Sequence, residues 1–565
     1  MSELASAPEP DAPEASSSAG GGVPSTSARS QIRGSSLLLG GRAISMAVNF
    51  VVQILTVRYL TKTDYGAFAY ALSLVDIGQM IATFGLDRSV TRFVPIDDEH
   101  GRYDRMFGTL VFTLATIGGL GLAVVLVVIG VQAALPGGLV GDAHAALLLS
   151  ILILLAPIQA VDSVMTGILS VFASPRSIFI RRFVVAPGLK LAVVLLLVLG
   201  QAGVDFLAWG YVLAGIIGVA VYVVLLARLF EQRGLWRHFR PRHLDFPVRE
   251  LLGFTLPLLT TDLVYVVLNG SDAILLGWFR GTADVAAYRV VIPAAGLNQL
   301  VFSSFTLLFV PAASRLFARR DEAGVRDLYW QTAIWMAVIS FPLFAVTFSL
   351  APDLTLALYG DRYASSAPYL AMLSFAYYFN TILGFNGVTL RVFGAIRPVV
   401  LINLSAAVLN VVLNLLLIPT FGALGAAIGT STALILHNVL KQIGLQRRTG
   451  IALFDGEALR VYAVIAAGAV ALLVVELLTN LGLIVGTALA AFVSAIVLAL
   501  TRDELRIGDT FPEIARIPFA TRLFGGTRPG APRPGAPRPG APRPTARGAR
   551  PPEDDRTDED DRPDA

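Results

Sequence analysis

The chain has 565 residues, 55% of them hydrophobic and 15% charged, with a formal net charge of +4 and no cysteine. A soluble globular domain carries about 25% charged residues, so most of this surface must face something other than water. The missing cysteine excludes thiolate chemistry, disulfides and cysteine metal sites, and the five histidines are scattered without ligand spacing.

Residues 1–34 are rich in Ala, Pro, Ser, Gly and acid, and lack the basic-then-apolar order of a signal peptide. They predict a disordered cytoplasmic tail. From Ser36 onward, apolar runs of about 20 residues recur, the length that crosses a bilayer. Fourteen spans are predicted, at 36–57, 66–86, 106–132, 144–172, 177–199, 205–228, 250–278, 285–311, 328–351, 367–390, 398–418, 422–441, 461–479 and 482–500. The last two are separated only by Thr479–Gly482, where one re-entrant pair is the alternative. The expected fold class is an all-α polytopic membrane protein. In this topology the connectors on one side hold 23 Lys and Arg, and those on the other hold Arg58, Lys62, Arg280 and Arg362. The positive-inside rule then puts both termini in the cytoplasm. It also accounts for the basic balance without nucleic acid. After Arg502 the sequence GAPRP occurs three times and an acidic end follows. Such segments stay extended, as a solubilising tail or as a docking tail for a cytoplasmic partner.

The chain repeats itself. FASPRS at Phe172 resembles FGAIRP at Phe393, and DEHGRYD at Asp98 resembles DEAGVRD at Asp321. FVP at Phe93 recurs at Phe309, and Gly203 and Gly210 match Gly422 and Gly429. Asp64–Tyr65 falls opposite Asp284–Val285, so every match lies near one offset of 220 residues. The repeat is six spans, an even number, so both copies start on the same side. The expected organisation is a tail at 1–34, an N-lobe of six spans at 35–230 and a basic cytoplasmic linker at 231–249. A C-lobe of six spans at 250–448, two extra spans at 449–501 and a tail at 502–565 complete it. A pseudo-twofold along the membrane normal would relate the lobes, the parallel-repeat layout of carriers with a site between halves. The connector RYLTKTDYGAFAY lies at the outer end of the N-lobe, with Asp64 expected to cap the second span and Gly66 to allow close packing. Its repeat partner is GTADVAAYRV, Gly281–Val290.

Polar groups inside spans are costly and face a cavity or a partner. The first span carries Arg42, Ser45, Asn49 and Gln53 on one helical face, and the seventh carries Asp262, Tyr265, Asn269 and Asp272 on another. Asp76, Gln79 and Thr83 lie in the second span, Asp162 in the fourth, Lys190 in the fifth, Arg289 in the eighth, and Asn403, Asn410 and Asn414 in the eleventh. They either wall a hydrated cavity or pair as helix-packing groups. The cavity reading suits Arg42 and Lys190; the packing reading suits Asp162 and the three Asn. No GxxxxGK[ST], HExxH or GxSxG occurs, and the outer connectors are too short for a catalytic domain. A gradient-driven carrier fits this pattern.

LTVRYLTKTDYGAFAYALSLV followed by FGLDRSVTRFVP resembles the polysaccharide and oligosaccharidyl-lipid flippases of the multidrug/oligosaccharidyl-lipid/polysaccharide (MOP) superfamily. LPLLTTDLVYVVLNGSDAILLGWF, FVPAASRLFARRD, ALYGDRYASSAPYLAMLSF and LNVVLNLLLIPTFGALGAAIGTSTAL extend the resemblance from about Ser36 to Arg448. The resemblance implies two six-helix lobes in a V and alternating access between them. It implies that a lipid-linked oligosaccharide or polysaccharide repeat unit passes from the cytoplasmic to the outer face of the cell membrane. Cavity cations would then be Arg42, Lys190 and Arg289, and the family's seventh-span Asp corresponds to Asp272. Implied partners are the lipid-linked glycan, the bilayer and glycan-assembly enzymes, with no cofactor and no metal. A cation-coupled multidrug exporter, with Asp76 standing in for an absent first-span acid, is the alternative; so is a non-transporting scaffold for glycan assembly.

Overall fold

The computed structural model describes residues 26–134, 142–172, 175–383 and 385–506. Among the described residues there are helices and turns but no strand. The first half opens with α1 (Thr26–Tyr59), α2 (Lys62–Thr83) and α3 (Leu86–Glu99). It continues with α4 (Tyr103–Ala134), α5 (Ala143–Leu152), α6 (Leu155–Phe172) and α7 (Pro175–Phe179). A π-helical turn at Ile180–Val185 leads into α8 (Ala186–Leu199), and α9 (Val204–Gln232) closes the half. The second half begins with α10 (Val248–Arg280), α11 (Thr282–Arg289), α12 (Ile292–Gly296), α13 (Leu300–Ala318) and α14 (Glu322–Phe344). Then come α15 (Ala351–Tyr359), α16 (Ala367–Leu383), α17 (Phe385–Val392), α18 (Ile396–Phe421) and α19 (Ala423–Thr449). The chain goes on through α20 (Gly456–Thr479), α21 (Gly482–Leu500) and the single turn α22 (Arg502–Leu505).

Twelve stretches among the described residues are long and apolar enough to cross a membrane, against fourteen expected. The other two expected spans, 250–278 and 367–390, fall on α10 and on α16 with α17. α20 and α21 each qualify separately by length and composition. Their outward faces expose Leu477, Leu478, Ile484 and Phe492, as a lipid-facing helix would. Their inward faces pack on the second half, with Gly468 close to Phe341 and Gly486 close to Leu350. Ser349 Oγ donates to the Ala469 carbonyl at 3.2 Å.

Two boundaries differ from expectation. The second span runs on as one 38-residue stretch, Lys62–Glu99, through a break where Phe84 and Gly85 adopt left-handed backbone (φ 49° and 67°). Its N-cap is Thr61 rather than Asp64. The Thr61 hydroxyl accepts from the Asp64 amide at 3.1 Å and donates to Asp64 Oδ2 at 2.6 Å. The helix begins two residues before Asp64, so Asp64 sits in the first turn, where its charge favours the helix dipole.

Gly66 does allow close packing, and its neighbour is the expected repeat partner. A Cβ on Gly66 would lie 1.9 Å from the Thr282 carbonyl oxygen and 3.3 Å from the Ala286 Cβ. The halves therefore meet backbone to backbone where α2 crosses α11. Tyr70 lies flat against Gly277 in the same contact, within a shared core that includes Tyr65, Phe68, Tyr288, Tyr359 and Tyr363.

Arg181 is one of the 23 basic residues counted with the connectors, although it falls within the fifth expected span; it is 2% exposed inside the first half. Its guanidinium pairs with Asp162, donates to the Gly218 carbonyl at 3.1 Å and lies 4.0 Å from the Tyr222 ring centroid. Asp162 is thus a packing partner, as expected. Taking Arg181 out of the basic set leaves the charge asymmetry intact.

Candidate functional site

A cavity of about 640 Å³ lies between the two halves. From the first half α2 contributes Ser73, Asp76, Gln79 and Thr83, which its 3.6-residue period sets on one face. The break at Gly85 then turns Asp87 and Arg88 of α3 toward the same space. Ser163 of α6 donates to Asp87 Oδ2 at 3.3 Å. From the second half come Asp272, Tyr288, Arg289 and Gln299, then Tyr377 and Asn380 of α16, Asn410 of α18, and Thr430 and His437 of α19.

Asp272 organises the wall of the second half. It is 3% exposed, and a buried carboxylate must be met by donors. Tyr288 Oη donates to it at 2.7 Å, Thr430 Oγ1 at 2.8 Å, and Asn414 Nδ2 to its other oxygen. One carboxylate so ties α10, α11, α18 and α19 together. Asn414 also donates to Asn410 Oδ1 at 3.2 Å, and Asn403 Oδ1 lies 2.7 Å from His437 Nε2. The three Asn of the eleventh span are packing groups, and Asn410 lines the cavity as well.

Arg289 Nη2 reaches across the cavity and donates to Ser73 Oγ at 2.6 Å. Beyond it the halves are latched at the end that is poor in Lys and Arg. Gln53 Nε2 donates to the Val290 carbonyl at 3.1 Å. Arg58 Nε donates to the Leu358 carbonyl at 2.9 Å, and Arg362 donates to the Leu60 and Arg58 carbonyls at 2.6 Å each. The Tyr65 ring meets Tyr363 edge-on at 6.5 Å. At the arginine-rich end contact runs along α3, α4 and α10, where Arg105 pairs with Glu250 and Phe93 meets Phe254 at 5.6 Å. On α1 the contacts to the second half come from its last two turns, while Arg42, Ile44 and Val51 are exposed.

Of the residues expected at the site, Asp76, Asp272 and Arg289 line the cavity. Gln53 belongs to the latch. Arg42 and Asn49 are exposed on α1, where Asn49 donates to the Ser45 carbonyl one turn back at 2.7 Å. Lys190 lies 5.7 Å from the Tyr211 ring centroid, with its charge felt at Asp76 and Asp162. Neither Arg42, Asn49 nor Lys190 is among the lining residues. Asp262 and Asn269 lie on α10, and their side chains fall outside the described residues. Asp87, Arg88, Gln299, Asn380 and His437 were not expected. Asp87 and Arg88 follow the end of an apolar run and so look like a connector, although the helical stretch continues to Glu99.

Two helical halves around a polar intramembrane cavity, closed at one end, define a membrane transporter fold. Two solved structures share it. A multidrug resistance MATE family transporter of the MOP superfamily, in its inward-facing conformation, is 15% identical, with a TM-score of 0.60. That match covers 72% of this chain and 94% of the other. The lipid II flippase MurJ, in an inward closed conformation, is 12% identical over 85% of this chain and all of its own, with a TM-score of 0.61. An uncharacterized membrane protein of Methanocaldococcus jannaschii is 25% identical over 426 residues, 71% of this chain and 80% of that relative. The family described as polysaccharide biosynthesis protein matches residues 32–317, and the MatE family matches residues 257–416. The chain belongs to the polysaccharide biosynthesis protein family, within the MOP superfamily of flippases and exporters.

Proposed function

We propose that this protein flips a lipid-linked oligosaccharide or polysaccharide repeat unit from the cytoplasmic to the outer face of the cell membrane. Alternating access between an N-lobe at 35–230 and a C-lobe at 250–448 would move it, in service of surface polysaccharide or glycan synthesis. The cavity between the halves carries the reading: it mixes cationic, amide and hydroxyl groups. Sugars need Asn, Gln, Ser and Tyr, a diphosphate needs cations, and a polyisoprenyl tail can stay in lipid. Arg42, Asn49 and Lys190 fit the same reading as groups met on the way in, and Asp262 and Asn269 as extensions of the polar stripe of α10.

The excess of Lys and Arg at one end assigns that end, with both termini, to the cytoplasm. The latch of Arg58, Arg362 and Gln53 then closes the outer side, and the protein stands in an inward-open or inward-closed state. Spans 449–501 brace the C-lobe. Glycan-assembly enzymes would supply the substrate on one side and consume the product on the other.

The test is mass spectrometry of lipid-linked intermediates after deletion of the gene. The expected result is a build-up of the glycan-linked lipid on the cytoplasmic side. Unchanged outer-face glycan with no build-up would overturn the reading. The MatE match over residues 257–416 favours a second reading, a cation-coupled exporter. Ion-driven efflux of cationic dyes by the purified, reconstituted chain would select it.

A further inference from the structure

The four helices α16 to α19 contain no Asp or Glu, yet they carry Arg391, Arg397, His437, Lys441, Arg447 and Arg448. Three of these six converge. Lys441 lies on α19 within the membrane stretch Ala423–Thr449, not in a connector. Its side chain runs along α17, where a Cβ on Gly387 would lie 3.2 Å from Cδ, Cε and Nζ. Arg391 is one turn beyond Gly387 on α17, and its charge acts on Lys441 through space. His437 is one turn before Lys441 on α19, on the same face, and lines the cavity. Its Nδ1 is buried without a partner, while Nε2 faces Asn403.

Two carboxylates of α10 have described side chains, and both are spoken for. Glu250 pairs with Arg105 of the first half, and Asp272 is met by three donors. Among the described residues Lys441 has no hydrogen-bond or ion-pair partner. A cation within a membrane stretch beside a second, exposed cation costs free energy unless an anion joins them. Gly387 lets the Lys441 stem lie against α17, and one turn from Lys441 His437 faces the cavity.

We propose that Arg391, Lys441 and His437 form an anion site on the C-lobe wall, which takes the diphosphate of the lipid-linked substrate as it enters the cavity. This rests on the flippase reading above. Arg391 meets the diphosphate at the mouth, Lys441 holds it, and His437 passes it to the polar wall around Asn380 and Asn410. Nothing in the sequence pattern announces the site, because Arg391 and Lys441 sit at the ends of apolar runs.

The test uses the full chain in lipid nanodiscs and native mass spectrometry with three probes: undecaprenyl diphosphate, undecaprenol and inorganic diphosphate. The expected result is at least tenfold preference for undecaprenyl diphosphate over undecaprenol in the wild type. Lys441→Gln combined with Arg391→Gln should abolish that preference and leave undecaprenol binding unchanged. Lys441→Arg, which keeps the charge, should retain it, and so should Arg315→Gln on α13. Loss of fold in the double variant would show as loss of undecaprenol binding, in which case Lys441→Gln alone decides, by the same criterion. Full preference in a folded variant would overturn the site and leave the flippase reading standing. If inorganic diphosphate bound as tightly as the lipid, with both lost in the variant, the site would hold a free phosphate compound. The site would stand and the flippase reading would fall.

Discussion

Gly66→Ala separates the geometry of the closed end from everything else in the protein. The added Cβ would lie 1.9 Å from the Thr282 carbonyl oxygen and 2.6 Å from its carbon, where ordinary contact begins at 3.4 Å. The opposing atoms are backbone, so no rotamer change can relieve the clash, and α2 must retreat from α11 by about 1.5 Å. Overpacking costs about 1–3 kcal/mol, and a rigid backbone opposite argues for the upper end. Only the state in which α2 and α11 touch bears that cost. About 3 kcal/mol corresponds to roughly a hundredfold shift of population toward the state open at this end. Because the chain has no cysteine, Lys62→Cys gives a single label site beside the latch. Its reaction with a membrane-impermeant maleimide should accelerate strongly in the Gly66→Ala background. Gly188→Ala is the control, since nothing lies within 4 Å of a Cβ there. Unchanged labelling in Gly66→Ala would refute the claim that this contact seals the outer end.

Arg181→Ala removes one member of a buried pair and should lower stability by about 3 kcal/mol, the low end for such pairs because Asp162 is 37% exposed. Combining it with Asp162→Leu should recover about 1 kcal/mol or more, read from thermal melts in detergent. Thr61→Ala should cost about 1 kcal/mol through the lost N-cap of α2, and Thr61→Asp should restore most of it in the same melts. Arg289→Ala removes the charged hydrogen bond to Ser73 and a cavity cation together. Such bonds contribute about 1.5–3 kcal/mol, so flipping of a fluorescent lipid-linked oligosaccharide in proteoliposomes should fall at least tenfold, with normal insertion.

The spans were legible because a bilayer imposes length and apolarity on every helix that crosses it, and no tertiary packing can relax that demand. The close approach at Gly66 was legible because only a residue without a side chain fits between two backbones. Asp272 was legible as a buried acid in an apolar helix. The cavity was legible only in part. A helical period tells which residues share a face, not what the face meets. Arg42 and Asn49 share their face with Gln53, and the structure gives Gln53 a partner across the halves while leaving the other two exposed. Charges near the ends of apolar runs misled in the other direction. Asp87 follows the expected end of the second span, and Arg88, Arg181 and Lys441 are counted with the basic connectors, although the helix carrying each one continues. Reading a boundary at the first charge assumes that charges avoid the membrane, and a polar cavity is where that assumption fails.

Two kinds of contact hold this bundle, and their difference bears on how it would move. Within each half a buried charge is met by partners: Arg181 by Asp162 and Tyr222, Asp272 by three donors. Breaking either strands a charge at membrane depth, which costs several kcal/mol, so each half should travel as a rigid body. Across the closed end the charged partners are the exposed guanidiniums of Arg58 and Arg362, which bond to carbonyl oxygens rather than to carboxylates. Water can replace each of these bonds, so each contributes at most about 1 kcal/mol net. The contact between Gly66 and Thr282 adds shape without charge, and Ala286 beside it stands 220 residues from Gly66, the offset of the internal repeat. A carrier that alternates needs rigid halves and a seam that opens at low cost. These residues supply both.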